Sequence, residues 1–449
     1  MPVFLVTDVL LWLLVAAAGI YFLYCRRHAH LAAPWRRVLQ SRAALASLVV
    51  LGAFAAAGLL DSLHFRPQLA GSRLYSSEVL SVLDVALSHL RTNREKTYSA
   101  PFATRLYAKE QIETPEGKSI RDYPRLAYGG RDLESESDRP ADIALRAAAG
   151  LVAALVLSFL LFRVVGGAAR RSPDIPWSAA GWTLSLVLAI ALPLYVLSFE
   201  YHVLGTDKVG QDVLYQALKS VRTALVIGTL ATVTMLPFGI AFGIIAGYFR
   251  GWVDDVIQYV YTTLNSIPGV LLIAAAVLMM QVYIDGHAES FPTVAQRADF
   301  RLLMLCLILG VTSWTGLTRL LRGEALKLST LDFVQAAHAF AVSDARILAR
   351  HILPNVAHIV IISLVMDFSG LVLAEAVLSY VGVGVDPATT SFGTMINAAR
   401  LEMGRDPVVW WSLAAALAFM VLLVLAANLF ADAVRDGFDP RVRIGAAPA

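Results

Sequence analysis

Charged residues are scarce in this chain. They make up 16% of its 449 positions, against 57% hydrophobic residues and a mean hydropathy of +0.64, a balance that excludes an ordinary soluble globular protein. Neither sign dominates: the formal net charge is only +3, so charge gives no reason to expect a nucleic-acid partner. Cysteine is nearly missing as well. Cys25 and Cys306 lie far apart, both at or within apolar runs. They support no disulfide framework and no metal knuckle, and each reads as a small hydrophobe. The sequence also lacks a G-x-x-x-x-G-K-[ST] phosphate loop, a G-x-S-x-G elbow, an H-E-x-x-H pair and a C-x-x-C. The expectation is a chain with no catalytic residue, no cofactor and no metal of its own. A membrane protein of this kind is a transporter component, a channel, a scaffold or a receptor. If it transports actively, the energy comes from a partner subunit or an ion gradient.

What the chain has in abundance is apolar runs. A membrane helix needs about 20 such residues. Uncharged runs of about that length occur at 9–25, 43–60, 175–199, 223–249, 256–284, 302–317 and 407–431. Two more contain charge: 147–167 holds Arg163, which can snorkel to the interface, and 359–380 holds Asp367 and Glu375. The expected count is nine spans, and Pro237 and Pro268 read as kinks within the fifth and sixth. Arg26, Arg27, Arg36, Arg37 and Arg42 follow the first span, Arg170 and Arg171 the third. Arg319, Arg322, Lys327, Arg346 and Arg350 follow the seventh, and Arg435, Arg441 and Arg443 the last. These positions fall on one face, which the positive-inside rule assigns to the cytoplasm. The N-terminus is then outside and the C-terminus cytoplasmic. In the first run the cations follow the apolar stretch, and no small-residue cleavage site is evident. It reads as a retained anchor.

Residues 61–146 are polar, with near-equal acids and bases, and by this topology lie outside. SSEVLSVLDVALSHL suits an amphipathic helix with Val79, Leu83, Ala86, Leu87 and Leu90 on one stripe. Tyr98, Tyr107, Tyr123 and Tyr128, with turn signals at Pro101, 115–117 and 129–130, suit a small folded insert. RDLESESDRPAD reads as a solvated linker. His64 and His89 read as isolated histidines.

A half-polar segment, LDFVQAAHAFAVSDARILARHILPN at 331–355, interrupts the apolar pattern. FVQAAHAFA is a short helical run. Ala345, Leu348, Ala349 and Ile352 follow helical spacing, with Arg346 and Arg350 on another face. Ser343 is a natural N-cap and Pro354 a stop. Two short helices joined near 341–342 form a compact knob between two spans, the shape of a docking element.

This knob resembles the coupling loop of binding-protein-dependent ABC importer permeases, E-A-A, three residues, Gly, nine residues, I-x-L-P. Ala336, Ala337, Leu353 and Pro354 match. Gln335 stands where that family has Glu, Ala341 where it has Gly, and His351 where it has Ile. LGTDKVGQDVL, AGYFRGWVDDVIQYVYTTLNSIPGVLL, LAEAVLSYVGVGVDPATTSFGTMI and ADAVRDGFDPRVR are similar, in order, to motifs of the dipeptide/oligopeptide/nickel subfamily's second permease subunit. PWRRVLQSRAALASLVVLGA resembles the start of that subfamily's first span. The resemblance implies an all-α polytopic membrane protein of the bacterial inner membrane. It would have a six-helix permease core plus about three extra N-terminal transmembrane helices and a small periplasmic insert.

The corresponding divisions are anchor helices at 1–60, the insert at 61–146, two further helices at 147–199, the core at 200–441 with its coupling loop at 322–358, and a tail at 442–449. Implied partners are a second homologous permease, two ATP-binding cassette ATPases, a periplasmic solute-binding protein and a peptide or small-solute substrate, all within a lipid bilayer. The implied coupling residues are Asp332, Gln335, Ala336, Ala337, Ala341, Ser343, Asp344, Arg346, Arg350, Ile352, Leu353 and Pro354. The outer motif is Gly205, Thr206, Asp207, Gly210 and Asp212. Asp367 and Glu375 are candidate pore-lining acids, with a structural pairing as the alternative for each. Two other classes stay open at this point: a secondary transporter or channel, and a receptor or scaffold on a permease core with the insert as sensor.

Overall fold

A computed structural model describes residues 1–68, 74–113, 119–133, 135–287, 289, 291 and 293–439. In chain order its helices are α1 (Val6–Arg27), α2 (Ala29–Gln40), α3 (Arg42–Asp61), α4 (Val82–Ala86), α5 (Ser88–Thr92), α6 (Arg139–Arg171), α7 (Trp177–Leu197), α8 (Val213–Phe249), α9 (Gly251–Ser266), α10 (Gly269–Gly286), α11 (Val294–Ser313), α12 (Thr315–Leu328), α13 (Asp332–Ala339), α14 (Asp344–Ile347), α15 (Leu353–Val381), α16 (Phe392–Arg400) and α17 (Trp411–Phe438). Five strands are short: β1 (Pro2–Val3), β2 (His64–Phe65) and β3 (Leu80–Ser81) form one antiparallel sheet, and β4 (Glu110–Glu113) pairs with β5 (Ser119–Asp122), Gln111 opposite Arg121. The turn signal at 115–117 and the cations Arg441 and Arg443 lie outside the described residues.

Among the described residues, nine segments are long and apolar enough to cross a membrane. They are α1, α3, α6, α7, α8, α10, α11 with α12, α14 through α15, and α17. The chain is therefore an all-α polytopic membrane protein, and nine spans match the expected six-helix core plus about three further helices.

Several boundaries differ from the sequence reading. The run at 256–284 is two helices, because Ile267 is extended before Pro268, and Pro268 disfavours α geometry in the residue before it. Pro237 sits within a continuous α8. The expected amphipathic helix in the insert breaks at Leu87 into α4 and α5. Leu83, Leu87 and Leu90 are buried as expected, but Ala86 is exposed. Part of the expected linker is helical: a 3-10 turn at Glu136–Asp138 leads into α6 at Arg139.

The chain forms two compact units, neither of them contiguous: 1–4, 39–224 and 389–426 in one, and 5–38, 225–388 and 427–449 in the other. In the first, α6 packs along α7, with Gly150 against Pro193, where a Cβ would come within 2.5 Å of backbone. The insert does not stand apart. Leu83, Leu87 and Leu90 pack on Leu214 and Tyr215 of α8, and Tyr98 packs with Val213, Val409 and Trp411. In the second unit, Gly239, Gly243 and Gly247 form a stripe on α8 that lets α12 approach closely: their Cβ positions fall 2.5–2.9 Å from atoms of Leu317, Thr318, Leu321, Arg322 and Ala325. Small residues four apart are the usual means of bringing membrane helices together. This stripe fixes α12, and α12 leads to the knob.

Candidate functional site

The knob is built from α13, α14 and the start of α15. α13 ends at Ala339 with Phe340 as its C-cap, and Ala341 adopts φ +56°. The N–H of Val342 donates to the carbonyl of Ala337 at 3.1 Å, and that of Ala341 to His338 at 2.9 Å. These are the two bonds of a Schellman cap. Glycine occupies its left-handed position freely, whereas alanine is strained there by about 1 kcal/mol. Ser343 has the extended backbone of an N-cap, but its side chain makes no capping bond.

Pro354 is not a stop. A π-helical turn at Leu348–Ile352 carries α14 directly into α15, and Pro354 lies in the first turn of α15. Proline has no N–H and its ring would crowd the carbonyl of residue 350 in a regular helix, so a wider turn accommodates it. The same turn changes the phase of the buried face. Ile347 and Ile352, five residues apart, are fully buried with Val356, while Ala345 and Ala349 are exposed.

The knob is held rigidly. Val334, Ala337, Ile347, Ile352 and Val356 share one apolar cluster with Tyr248 of α8 and with Leu321 and Ala325 of α12. The Tyr248 hydroxyl donates to Asp344 Oδ1 at 2.7 Å and lies 2.7 Å from His338 Nε2, with the two rings stacked. Arg322 of α12 forms a two-pronged bond to Asp254 of α9 at 2.6 and 2.7 Å. Asp332, Gln335, Ala336, Arg346, Arg350 and Leu353 are exposed. The Gln335 side chain donates to the Thr330 carbonyl at 3.2 Å. Sequence reading missed the exposed aromatic groups here, Phe340 at 82% and Phe333 at 42%. Their signal was an aromatic side chain on the polar side of a short helix.

The outer motif is a clasp that fastens the insert. Gly205 and Gly210 both have φ +72°, and a Cβ on Gly210 would sit 1.8 Å from the Glu95 carbonyl oxygen. The N–H of Glu95 donates to the Gly210 carbonyl at 2.9 Å. Thr206 Oγ1 accepts from the Ser99 N–H at 2.7 Å and donates to the Thr97 carbonyl at 2.9 Å, and the Trp411 indole donates to the Thr206 carbonyl at 2.9 Å. Asp207 folds its own turn, accepting from the N–H groups of Val209 and Gln211 at 2.9 and 2.8 Å. Asp212, fully buried, caps α8 through the N–H of Leu214 at 2.8 Å and bonds His202 Nδ1 at 2.8 Å.

His202 Nε2 lies 3.5 Å from Glu95 Oε1. Glu95 accepts hydrogen bonds from the N–H groups of Ala127, Tyr128 and Gly129 at 2.8–3.1 Å. Burial alone would lower the His202 pKa, but the Asp212 and Glu95 carboxylates outweigh it and raise it to about 9. Burial likewise opposes charge on Glu95, yet His202 and the three N–H donors hold its pKa below the ordinary value. Nearby, Lys219 bridges Asp61 at 2.6 Å and Asp84 at 3.0 Å. Glu95, Ser99, His202 and Trp411 were not singled out from sequence. Only His202, three residues before the motif, carried a local signal. His89 is not isolated: its Nε2 lies 2.8 Å from Ser198 Oγ and its ring stacks on Phe199.

The two intramembrane acids separate. Glu375 is 1% exposed and accepts from Ser379 Oγ at 2.6 Å, one turn along α15. Asp367 is half-buried and makes no hydrogen bond or ion pair among the described residues.

Residues 239–444 match the family model described as "Binding-protein-dependent transport system inner membrane component". The oligopeptide transport system permease protein OppC of Mycobacterium tuberculosis is 31% identical over 242 residues, covering 54% of this chain and 77% of that protein. The glutathione transport system permease protein GsiD of Pectobacterium atrosepticum is 31% identical over 284 residues, covering 59% and 87%. The dipeptide transport system permease protein DppC of Lactococcus lactis is 30% identical, covering 54% and 64%. With the knob and the outer motif in the same order as in the importer resemblance, these matches place the chain plainly: it belongs to the family of binding-protein-dependent transport system inner membrane components.

Proposed function

We propose that this chain forms part of the translocation pathway of an ATP-driven importer of peptides or related small solutes, paired with a second, homologous permease. The knob at 331–355 docks in a groove of one of two ATPase subunits. A periplasmic binding protein delivers solute to the face that carries the clasp and the insert. The observation that carries this reading is the build of the knob: an apolar base fixed to α8 and α12, with Phe340, Phe333, Arg346 and Arg350 turned outward. Such an element transmits displacement because it has nowhere to deform internally.

Contacts within each unit suit the orientation with the knob inside. Trp35, after α1, meets Phe438 at the end of α17 edge-on at 5.1 Å, and Arg250, after α8, donates to Ser329 after α12 at 2.8 Å. The ends assigned to the outside also meet one another: Lys219 with Asp61, and Tyr107 with the Val408 carbonyl at 3.1 Å.

The test replaces Cys25 and Cys306, introduces F340C, and places a second cysteine in the ATPase groove of the assembled complex. Efficient cross-linking is expected, and F340A is expected to reduce solute-stimulated ATP hydrolysis while changing stability by less than about 0.5 kcal/mol. An assembled, transporting complex that never cross-links would overturn the docking role. Normal stimulation of ATP hydrolysis by loaded binding protein would exclude the receptor or scaffold alternative.

A further inference from the structure

Asp367 lies in the middle of α15, within a span of mean hydropathy 2.2. It stands at the border of that helix's exposed face, formed by Met366, Gly370, Leu373 and Val377. On the other side, Phe368 packs on Gly228 of α8, and Ser369 is bonded to Asn428. Asp367 is thus the polar group at the edge of this face that no neighbour in the described chain satisfies. Gly370 is one turn away, and nothing lies within 4 Å of where its Cβ would be. The chain therefore leaves open space beside an unpartnered carboxylate at membrane depth. Facing hydrocarbon, such a group is costly, and acids at this depth face a cavity or a charged partner.

We propose that the Asp367–Gly370 edge of α15 lines a water-filled part of the translocation pathway, and that the Asp367 carboxylate binds the cationic amino group of a passing solute. Gly370 supplies the room for that group: a side chain there would occupy the space next to the carboxylate. Solutes carrying a free amine are selected over those in which it is blocked. This rests on the importer reading for its solute, but its geometry is testable without transport.

The experiment uses the full chain in membranes, with Cys25 and Cys306 replaced and G370C introduced. Its modification by a small cationic thiosulfonate is compared with that by an anionic one of similar size. With Asp367 present, the cationic reagent is expected to react about tenfold faster, since a unit charge a few ångströms away in a partly aqueous site changes local reagent concentration by that order. In G370C combined with D367N the preference is expected to fall to within about twofold. A G370C that resists both reagents means that lipid or a partner subunit covers this edge and overturns the proposal. So does equal reactivity that D367N leaves unchanged. Neither outcome touches the F340C cross-link, so failure here and failure of the importer reading are told apart.

Discussion

The knob and the outer clasp use similar parts: a left-handed turn residue, short hydrogen bonds and a few carboxylates. They direct them oppositely. In the clasp the polar groups of Thr206, Asp207 and Asp212 are satisfied within the same unit, and Gly210 is pressed against the Glu95 backbone. In the knob the base is buried, while Phe340, Gln335, Arg346 and Arg350 point outward. A motif whose groups are consumed internally is a joint. One whose base is buried and whose tip is exposed has the build of a contact surface, the role proposed for the knob. Both motifs resemble those of one transporter subfamily, yet the clasp exposes only Lys208 and Val209 at its tip, whereas the knob exposes Phe333, Phe340, Arg346 and Arg350.

The comparison breaks most severely at Gly210. G210A places a Cβ 1.8 Å from the Glu95 carbonyl oxygen and adds a left-handed penalty. The local cost is about 3 kcal/mol. Thermal unfolding of the purified protein should shift downward, and limited proteolysis should cut within 91–133 first. A variant as stable as the parent would mean that the insert is not fastened here.

The next effect is a pH dependence. The His202 pKa is raised from 6.5 to about 9 by Asp212 and Glu95. A raised pKa contributes stability that is complete below about 6.5 and is lost as pH climbs through 9. Glu95, held low, contributes above its ordinary value of 4.5 and loses that contribution as pH falls through its depressed one. The clasp is therefore strongest from mildly acidic to neutral pH. Between pH 7 and pH 10 the loss is on the order of a few kcal/mol. Melting temperatures at those two values should differ more in the parent than in H202Q. Equal differences would remove His202 from the clasp.

How much was legible beforehand follows from range. The nine spans were, because hydropathy is summed over some 20 adjacent residues. So was the turn near 341–342 that separates the knob's two helical segments. Pro268 was legible as a kink, but not as the full break seen at Ile267–Pro268, since an uncharged run continues through it. The role of Pro354 was misjudged because a π-helical turn absorbs a proline that a regular helix rejects. That turn also carried the buried face from Ala345 and Ala349 to Ile347. The clasp was invisible beyond its own motif: Glu95 meets Gly210 and Trp411 meets Thr206 across more than a hundred residues. Nothing in the local sequence near Glu95 announces those contacts.

The smallest predicted effect sharpens the knob's side of the comparison. Ala341 carries φ +56° at the left-handed position of a Schellman cap, with Val342 bonded back to Ala337. A341G should relieve that strain and stabilise the folded chain, offset in part by the greater freedom glycine gives the unfolded chain. The net gain is about 0.5–1 kcal/mol, readable as a small rise in melting temperature. Because residue 341 is exposed and the turn is already formed, the substitution should leave the F340C cross-link unchanged. A loss of stability would mean that alanine is unstrained here. A gain in stability with a lost cross-link would mean that the strain itself aims Phe340 at its partner, and that the tip is tuned by its departure from glycine.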